Sequence, residues 1–195
     1  MPRLQPLPDD ALGPLADTLA GMEATMGYVP NSFKTMGRKP EMAQALLAWA
    51  GTVMAPGTVN PELKNMVSQV TSKSAGCAYC MAHTGHSAHG AGISAEKEAA
   101  LWDWETSPLF TDAERVALRV AQGAAQVPNA VTDADFADLK QHFTDDQIVE
   151  IVAVISMFGF FNRWNDTMAT ELESSPLRFA QDTLGPKGWD AGKHG

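Results

Sequence analysis

The chain has 195 residues, of which 45% are hydrophobic and 19% are charged. This balance is typical of a folded globular domain and excludes a globally disordered chain. The formal net charge of −9 and the pI near 4.9 disfavour binding to nucleic acid or to an anionic membrane surface, since both need a basic face.

The N-terminal segment carries prolines and acidic residues and lacks the continuous apolar core of a secretory signal. The most apolar stretch, residues 148–161, contains Glu150 and is too short to span a bilayer, which takes roughly 20 residues. We therefore expect a cytoplasmic protein that does not enter a membrane, in a compartment where thiols stay reduced.

Helix signals dominate the first half of the chain. Residues 9–26 carry apolar side chains three and four residues apart, as an amphipathic helix requires, and a Gly-Tyr-Val-Pro-Asn segment ends this pattern. Asn60 followed by Pro61 resembles the N-cap and first turn of a helix. Further helices are predicted at about 40–54, 61–74 and 77–89, and Gly76 separates the last two.

The second half of the chain repeats one helix-start signal. A serine or threonine precedes acidic residues at four places, where its side-chain oxygen would cap the first turn: Ser94, Thr111, Thr132 and Thr144. No alternating strand pattern bounded by hairpin turns occurs. The sequence therefore predicts an all-α fold with a single domain over residues 1–185 and a flexible tail over residues 186–195.

An internal similarity indicates a possible duplication. Residues 65–70 and 150–155 carry apolar side chains at matching places, and their pairing aligns residues 77–80 with residues 162–165. One interpretation is a pair of related helical hairpins about a pseudo-twofold axis. The other is that any two buried helices look this similar.

Cys77 and Cys80 are the two cysteines of the chain and the main candidates for chemistry. Thiols three residues apart at the start of a helix can close a disulfide with little backbone change. The helix N-terminus favours the thiolate, which is the nucleophile. His83 lies one turn beyond Cys80, where its imidazole can meet that sulfur. Such a dithiol can reduce an oxidant and then be reduced again.

Three other interpretations of this segment remain open. Cysteines in a helix can be small apolar core residues. A metal site would use side chains that recur every third residue: Cys77, Cys80, His83, His86 and His89. These side chains wind around the helix, so that two or three at most converge, and the loop ligands of structural zinc are missing. A c-type haem needs a histidine where Met81 stands.

Four segments together resemble the alkylhydroperoxidase D-like group of the carboxymuconolactone decarboxylase family. They are GYVPNSF at 27–33, AGCAYC at 75–80, TDAER at 111–115 and FFNRWN at 160–165. The resemblance extends over most of the chain. It implies an all-helical, homo-oligomeric enzyme with thiol-dependent peroxidase activity of the peroxiredoxin type.

The resemblance also implies a role for each site residue. Cys80 attacks the peroxide and becomes a sulfenic acid, Cys77 resolves it to a disulfide, and an external thiol or dithiol protein restores both thiols. A glutamate in the preceding helix and a histidine after the second cysteine relay protons, which assigns these roles to Glu62 and His83. No cofactor or metal is expected, and the sequence has no nicotinamide or flavin fingerprint.

The chain departs from the family pattern at two places. The usual glutamate position, twelve residues before the first cysteine, holds Asn65, and Glu62 lies one turn earlier on the same face. The usual histidine position holds Thr84, and His83 lies one residue earlier. These departures predict weak peroxidase activity or another oxidant.

Two alternative functions stay open at this point. One is a lactone- or carboxylate-processing enzyme that uses Glu62 and His83 for acid–base chemistry. The other is a non-catalytic helical protein that binds a metal or a partner. Family members that decarboxylate a muconolactone do not depend on a cysteine pair, so the presence of both thiols favours redox chemistry.

Overall fold

The computed structural model describes residues 1–88 and 91–195. This part of the chain contains ten α-helices and no strand, which confirms the predicted all-α fold. No helix in it is long and apolar enough to cross a membrane. The helices are α1 Ala16–Met26, α2 Asn31–Met36, α3 Pro40–Met54, α4 Pro61–Ser74, α5 Ala78–His86, α6 Ala95–Ala100, α7 Asp112–Ala124, α8 Asp133–His142, α9 Asp145–Met168 and α10 Ser174–Thr183.

The predicted N-caps are confirmed. The Asn60 side chain accepts a hydrogen bond from the Leu63 N–H at the start of α4, at 2.7 Å. Each of the four predicted serine and threonine caps accepts a backbone N–H in the same way, at the starts of α6, α7, α8 and α9. These bonds satisfy N–H groups that a helix start otherwise leaves without a partner.

The first predicted helix, residues 9–26, is shorter than expected. Two short 3-10 turns, Asp9–Ala11 and Gly13–Leu15, precede α1. Gly13 has a φ of 53° and Pro14 lacks an N–H, so neither supports a continuous α-helix at this point. The turns still bury Leu12 and Leu15.

Helix α9 corrects the prediction of two related hairpins. The first candidate hairpin is present, because Gly76 turns the chain between α4 and α5 with a φ of 72°. The second is one continuous helix of 24 residues, and its Gly159 lies inside the helix. A helical glycine costs only about 1 kcal/mol relative to alanine, which the packing of α9 outweighs.

The core centres on α4, which packs against α5, α7 and α9. A continuous run of α4, residues 63–72, is buried. Apolar side chains of α4 contact those of α7 and α9 in one cluster, in which Met66, Leu118 and Ile151 are almost fully buried. Such a helix has no solvent face, so its polar side chains need partners inside the protein.

Lys64 is one of these buried polar residues. Its ammonium group donates to the carbonyls of Val53 and Ala55 at 2.9 and 2.8 Å and pairs with Glu150 of α9 at 2.8 Å. Glu150 also accepts from the backbone N–H and the hydroxyl of Thr58. The hydrogen bond from Lys64, with those from Thr58, lowers the pKa of Glu150 to about 2. This ion pair joins the end of α3 to α4 and α9.

The C-terminal segment, expected to be a flexible tail, is instead packed against the rest of the protein. The Trp189 indole donates to the carbonyl of Ala78 in α5 at 3.2 Å. The His194 side chain is 2% exposed and donates from Nδ1 to the carbonyl of Thr170 at 2.7 Å, and the His194 backbone carbonyl accepts from the Leu172 N–H at 2.8 Å. The sequence analysis relied on the glycines and lysines of this segment and overlooked Trp189 and His194, whose side chains hold it in place.

Candidate active site

The two cysteines lie at the start of α5, as predicted. Cys77 is the N-cap residue, and the Cys80 N–H points to its sulfur at 3.5 Å. Both thiols are free and buried, with exposures of 0% for Cys77 and 3% for Cys80. The pair therefore has the positions that a disulfide would need, on one turn of helix.

The two sulfurs differ in their affinity for a proton. The thiol of Cys80 hydrogen-bonds to the Cys77 sulfur, and this bond, aided by the N–H groups of Cys80 and Tyr79, lowers the pKa of Cys77 against the effect of burial. Burial raises the pKa of Cys80, and so does the neighbouring Cys77. These opposite shifts favour the charge on Cys77 over Cys80 when the pair loses one proton.

A cavity of about 190 Å³ opens beside Cys80. Cys80, His83 and Asn165 contribute polar groups to its wall, and Cys77 does not line it. Six other polar residues also line it: Ser32, Asn65, Ser68, Tyr79, Thr84 and Ser87. Most of the wall surface is nevertheless apolar and comes from Met22, Met26, Pro30, Phe33, Met54, Phe158 and Phe161. Cavities for drug-sized ligands are larger, roughly 300–1,000 Å³, so this one suits a small apolar molecule.

His83 is held by aromatic rings and two hydrogen bonds. Its ring stacks on Tyr79, with centroids 4.3 Å apart, and meets the Tyr28 ring edge-on at 5.4 Å. Its Nε2 lies 2.7 Å from a carboxylate oxygen of Glu173, and its Nδ1 lies 3.3 Å from the Tyr28 hydroxyl. Since a carboxylate only accepts, Nε2–H donates to Glu173, and in the neutral imidazole Nδ1 accepts from Tyr28. These bonds take the place of the direct contact with the Cys80 sulfur that the helical spacing allowed.

Glu173 lies directly before α10 and is the charged centre of this network. Its carboxylate accepts from the Tyr79 hydroxyl at 2.9 Å and from the Asn31 N–H, in addition to His83. Burial acts to raise the pKa of Glu173. The hydrogen bond from His83, the charge of the His83 imidazole and the hydrogen bond from the Asn31 N–H outweigh burial and lower this pKa below its usual value. Burial, with the Glu173 charge, raises the pKa of Tyr28 and Tyr79. Both tyrosines therefore remain hydrogen-bond donors.

The sequence analysis missed Glu173. It is 90 residues from His83 along the chain, and no spacing rule connects it with the cysteine motif. Tyr28 lies in the GYVPNSF segment on which the family resemblance partly rested, but the sequence assigned it no chemistry. The partner of Cys80 on α9, Asn165, lies in the FFNRWN segment and was the counterpart of Cys80 in the proposed repeat, but neither pattern assigned it chemistry.

Glu62, the predicted proton carrier, lies elsewhere. It pairs with Lys97 at 2.9 Å, and Lys97 also pairs with Glu114 at 2.6 Å. Glu62 does not line the cavity beside Cys80. The carboxylate that reaches His83 is Glu173, so the structure separates Glu62 from the other three predicted site residues.

The two positions that depart from the family pattern contact each other. The Asn65 amide donates to the carbonyl of Thr84 at 3.3 Å, and its oxygen accepts from Gln69 at 2.8 Å. The Thr84 hydroxyl donates to the Cys80 carbonyl at 2.9 Å. These neutral side chains fill the place of the usual glutamate and histidine and hold α5 against α4.

The residues of the possible metal site do not converge in the described part of the chain. His83 is directed to Glu173 and Tyr28, whereas His86 lies 3.0 Å from the Ser175 hydroxyl. No group of three or more His, Cys, Asp or Glu side chains among the described residues is arranged to hold a metal ion. His89 lies outside the described residues.

Comparisons with known proteins assign this architecture to a family. The sequence model of the carboxymuconolactone decarboxylase family matches residues 40–123, which include the cysteine pair. The structure of the debrominase Bmp8 is 30% identical in sequence, with a TM-score of 0.86 over 92% of this chain and 97% of that chain. The chain belongs to the carboxymuconolactone decarboxylase family.

Further proteins are similar to this chain. The uncharacterized protein YnjA of Escherichia coli is 29% identical over 145 residues, which cover 73% of this chain and 79% of that protein. A Bmp8 variant with a cysteine replaced by alanine was solved with 2,3,4-tribromopyrrole and also superposes with a TM-score of 0.86, at 29% identity. An alkylhydroperoxidase AhpD core protein from Ralstonia eutropha JMP134 shares the fold, with 24% identity and a TM-score of 0.74 over 89% of this chain and 90% of that chain.

Proposed function

We propose that this protein is a dithiol oxidoreductase that reduces small organic hydroperoxides at Cys80. The observation that carries the proposal is the arrangement of the two sulfurs relative to the cavity. Cys80 lines the cavity, and Cys77 lies behind it within hydrogen-bonding contact. A substrate in the cavity meets one sulfur, and the other is in place to close a disulfide.

The first step is attack by Cys80 on the terminal peroxide oxygen. Cys80 passes its proton to the Cys77 thiolate, an S–O bond forms, and the O–O bond breaks. The sulfur is oxidised to a sulfenic acid, and the leaving alkoxide takes up a proton to become an alcohol. The His83 imidazole, which lines the cavity, is the proton donor that we assign to this step, and Glu173 orients it.

The second step closes the disulfide. The Cys77 thiol attacks the Cys80 sulfenic acid and gives up the proton that it took from Cys80, the S–O bond breaks, and the departing oxygen takes up that proton and leaves as water. The cycle consumes one hydroperoxide and two thiol hydrogens and yields one alcohol and one water. An external thiol or dithiol protein then reduces the disulfide by exchange.

Two single substitutions test this scheme. Cys80→Ser should abolish hydroperoxide consumption, because the attacking atom is removed. Cys77→Ser should still react once, but more slowly because it lacks the thiolate that takes the Cys80 proton, and leave a sulfenic acid on Cys80 that dimedone traps and mass spectrometry detects. Glu62→Gln is the control, and we expect parental turnover from it because Glu62 does not line the cavity. Consumption of hydroperoxide by both cysteine variants at the parental rate would contradict the proposal.

A second candidate reaction is the reductive removal of bromine from an aromatic ring. It is favoured by the likeness to the debrominase Bmp8 over 97% of that chain and by the apolar cavity wall. The Cys80 thiolate would take the bromine, the ring carbanion would accept a proton, and Cys77 would displace bromide to form the disulfide. One aryl bromide and two thiols thus give the arene, a disulfide, a proton and bromide.

The two reactions are distinguished by comparing the two substrates in separate assays. The parent protein is supplied with a thiol reductant and either cumene hydroperoxide or 2,3,4-tribromopyrrole, and kcat/KM is measured for each. We expect the hydroperoxide to be the better substrate. If the release of bromide has the higher kcat/KM, aryl bromides and not hydroperoxides are the substrate class.

A further inference from the structure

Asn165 of α9 combines a contact to the reactive sulfur with an unused hydrogen-bond acceptor. Its side chain lines the cavity, is 1% exposed, and donates from Nδ2 to the Cys80 sulfur at 3.5 Å. Its Oδ1 is buried and has no hydrogen-bond partner among the described residues. An unpaired buried carbonyl oxygen is unfavourable, and such groups are uncommon in folded proteins.

The chemistry of the sulfur determines which way the amide faces. A thiolate only accepts hydrogen bonds, so the N–H of Asn165 must be directed to Cys80 when that sulfur attacks. The amide oxygen, Oδ1, then faces away from the sulfur. It still belongs to a residue that lines the cavity. This oxygen is buried in the wall, and we expect it to accept from a group bound beside Cys80.

We infer that Asn165 Oδ1 recognises a hydrogen-bond donor on the substrate atom that Cys80 attacks. The inference rests on the proposed function and names the group that recognises the terminal oxygen of the hydroperoxide. The substrate is an apolar molecule whose electrophilic oxygen carries a hydrogen, R–O–O–H, in contrast to a dialkyl peroxide, R–O–O–R. The methionines and phenylalanines around the rest of the cavity contact the R group.

This arrangement also fits the balance of the first step. The oxygen that bonds to Cys80 keeps its own hydrogen, and the sulfenic acid S–O–H therefore presents the same donor to Asn165 as the hydroperoxide did. The proton required by the leaving alkoxide comes from elsewhere. Asn165 thus holds the reacting oxygen before and after the O–O bond breaks, without itself changing protonation.

Asn162 provides a matched control. It lies on the same helix three residues earlier, is 3% exposed, and also has an amide oxygen without a partner among the described residues. Its Nδ2 donates to the carbonyl of Thr71 at 3.5 Å. Unlike Asn165, Asn162 does not line the cavity beside Cys80.

The test is a binding experiment with two unreactive ligands. The reduced parent protein is titrated by calorimetry with 2-phenyl-2-propanol, which has an O–H donor, and with its methyl ether, which has none. We expect the alcohol to bind about 3- to 10-fold more tightly, as one net hydrogen bond allows. Equal affinities, or no binding of the alcohol, overturn the inference without any variant.

The leucine substitutions then locate the acceptor. Asn165→Leu should abolish the preference for the alcohol, and Asn162→Leu should keep it. Retention of the preference in Asn165→Leu assigns the acceptor to another group and overturns the inference. Because neither ligand is turned over, a protein that shows the preference but consumes no hydroperoxide contradicts only the proposed function.

Discussion

At the scale of single residues, the pKa of Cys77 depends on one hydrogen bond. The Cys80 thiol donates to Cys77, and this is the largest cause of the lowered pKa of Cys77. Cys80→Ala removes the donor and should raise the pKa of Cys77, whereas Cys80→Ser keeps an O–H donor and should raise it less. The ultraviolet absorbance of the thiolate, followed against pH, measures both. Equal Cys77 titrations in the two variants would contradict this origin of the shift.

The network around His83 should determine turnover. Because His83 is the proton donor that we assign to the leaving group, His83→Ala should lower kcat/KM by about 10²-fold or more, the lower end for general acid–base catalysis. Glu173→Gln should cause part of that loss, since an amide cannot hold the imidazole as a carboxylate does. Steady-state kinetics at several pH values provide the measurement. Parental rates in both variants would exclude the network from the reaction.

At this scale, the sequence predicted which residues share a helix, but it did not predict contacts between residues far apart in the chain. Three-residue steps along one helix placed Cys77, Cys80 and His83 on α5. Glu62 was selected by the same local logic, but its side chain pairs with Lys97. The carboxylate that completes the site, Glu173, reaches His83 only through the tertiary fold, and no helical period contains that information.

At the scale of helices, α4 and α9 are joined by the ion pair of Lys64 and Glu150. Lowering of the Glu150 pKa to about 2 means that the folded protein binds this proton less readily than the unfolded chain does. The resulting stabilisation is complete above the unfolded pKa, near 4.5, and is lost as the pH falls towards 2.

Glu150→Gln tests this linkage. It leaves the buried Lys64 without its counter-ion and should lower the free energy of unfolding at neutral pH by about 2 kcal/mol. The variant should also lose less stability than the parent between pH 4.5 and pH 3 in urea unfolding. Glu23→Gln, at an exposed carboxylate of α1, is the control. A parental acid response in Glu150→Gln would contradict the assignment.

Helix starts were predicted well because their signals are local. A threonine and the acid or amide three residues later form each capping box within one turn, as at Thr111, Thr132 and Thr144. Whether a glycine ends a helix depends on what surrounds it, and this is not local. Gly76 turns the chain at a φ of 72°, whereas Gly159 continues α9. The second of the two related hairpins, one of the interpretations of the internal similarity, is therefore absent.

At the scale of the whole molecule, the C-terminal segment supports the active site. Trp189 bonds to α5 next to the cysteines, and His194 bonds to the loop that leads to Glu173. Deletion of residues 185–195 should lower the free energy of unfolding by at least about 2 kcal/mol, since it removes a partly buried tryptophan. Thermal and urea unfolding measure the loss.

A point variant controls for the loss of surface charge in that deletion. Lys193→Ala removes a half-exposed ion pair with Asp166 and should change stability by less than about 1 kcal/mol. If the deletion protein is as stable as the parent, the prediction of a flexible tail at residues 186–195 would stand. The homo-oligomer and the cytoplasmic location stay predictions, because they concern surroundings that one chain does not contain.

The burial of Cys77 behind Cys80 has a kinetic consequence. A reductant reaches the disulfide through the same opening as the hydroperoxide, so the two reactants exclude each other. Double-reciprocal plots at several fixed reductant concentrations should be parallel, as in a ping-pong mechanism. The alcohol product should compete with the reductant, and intersecting lines would require a second route to the sulfurs.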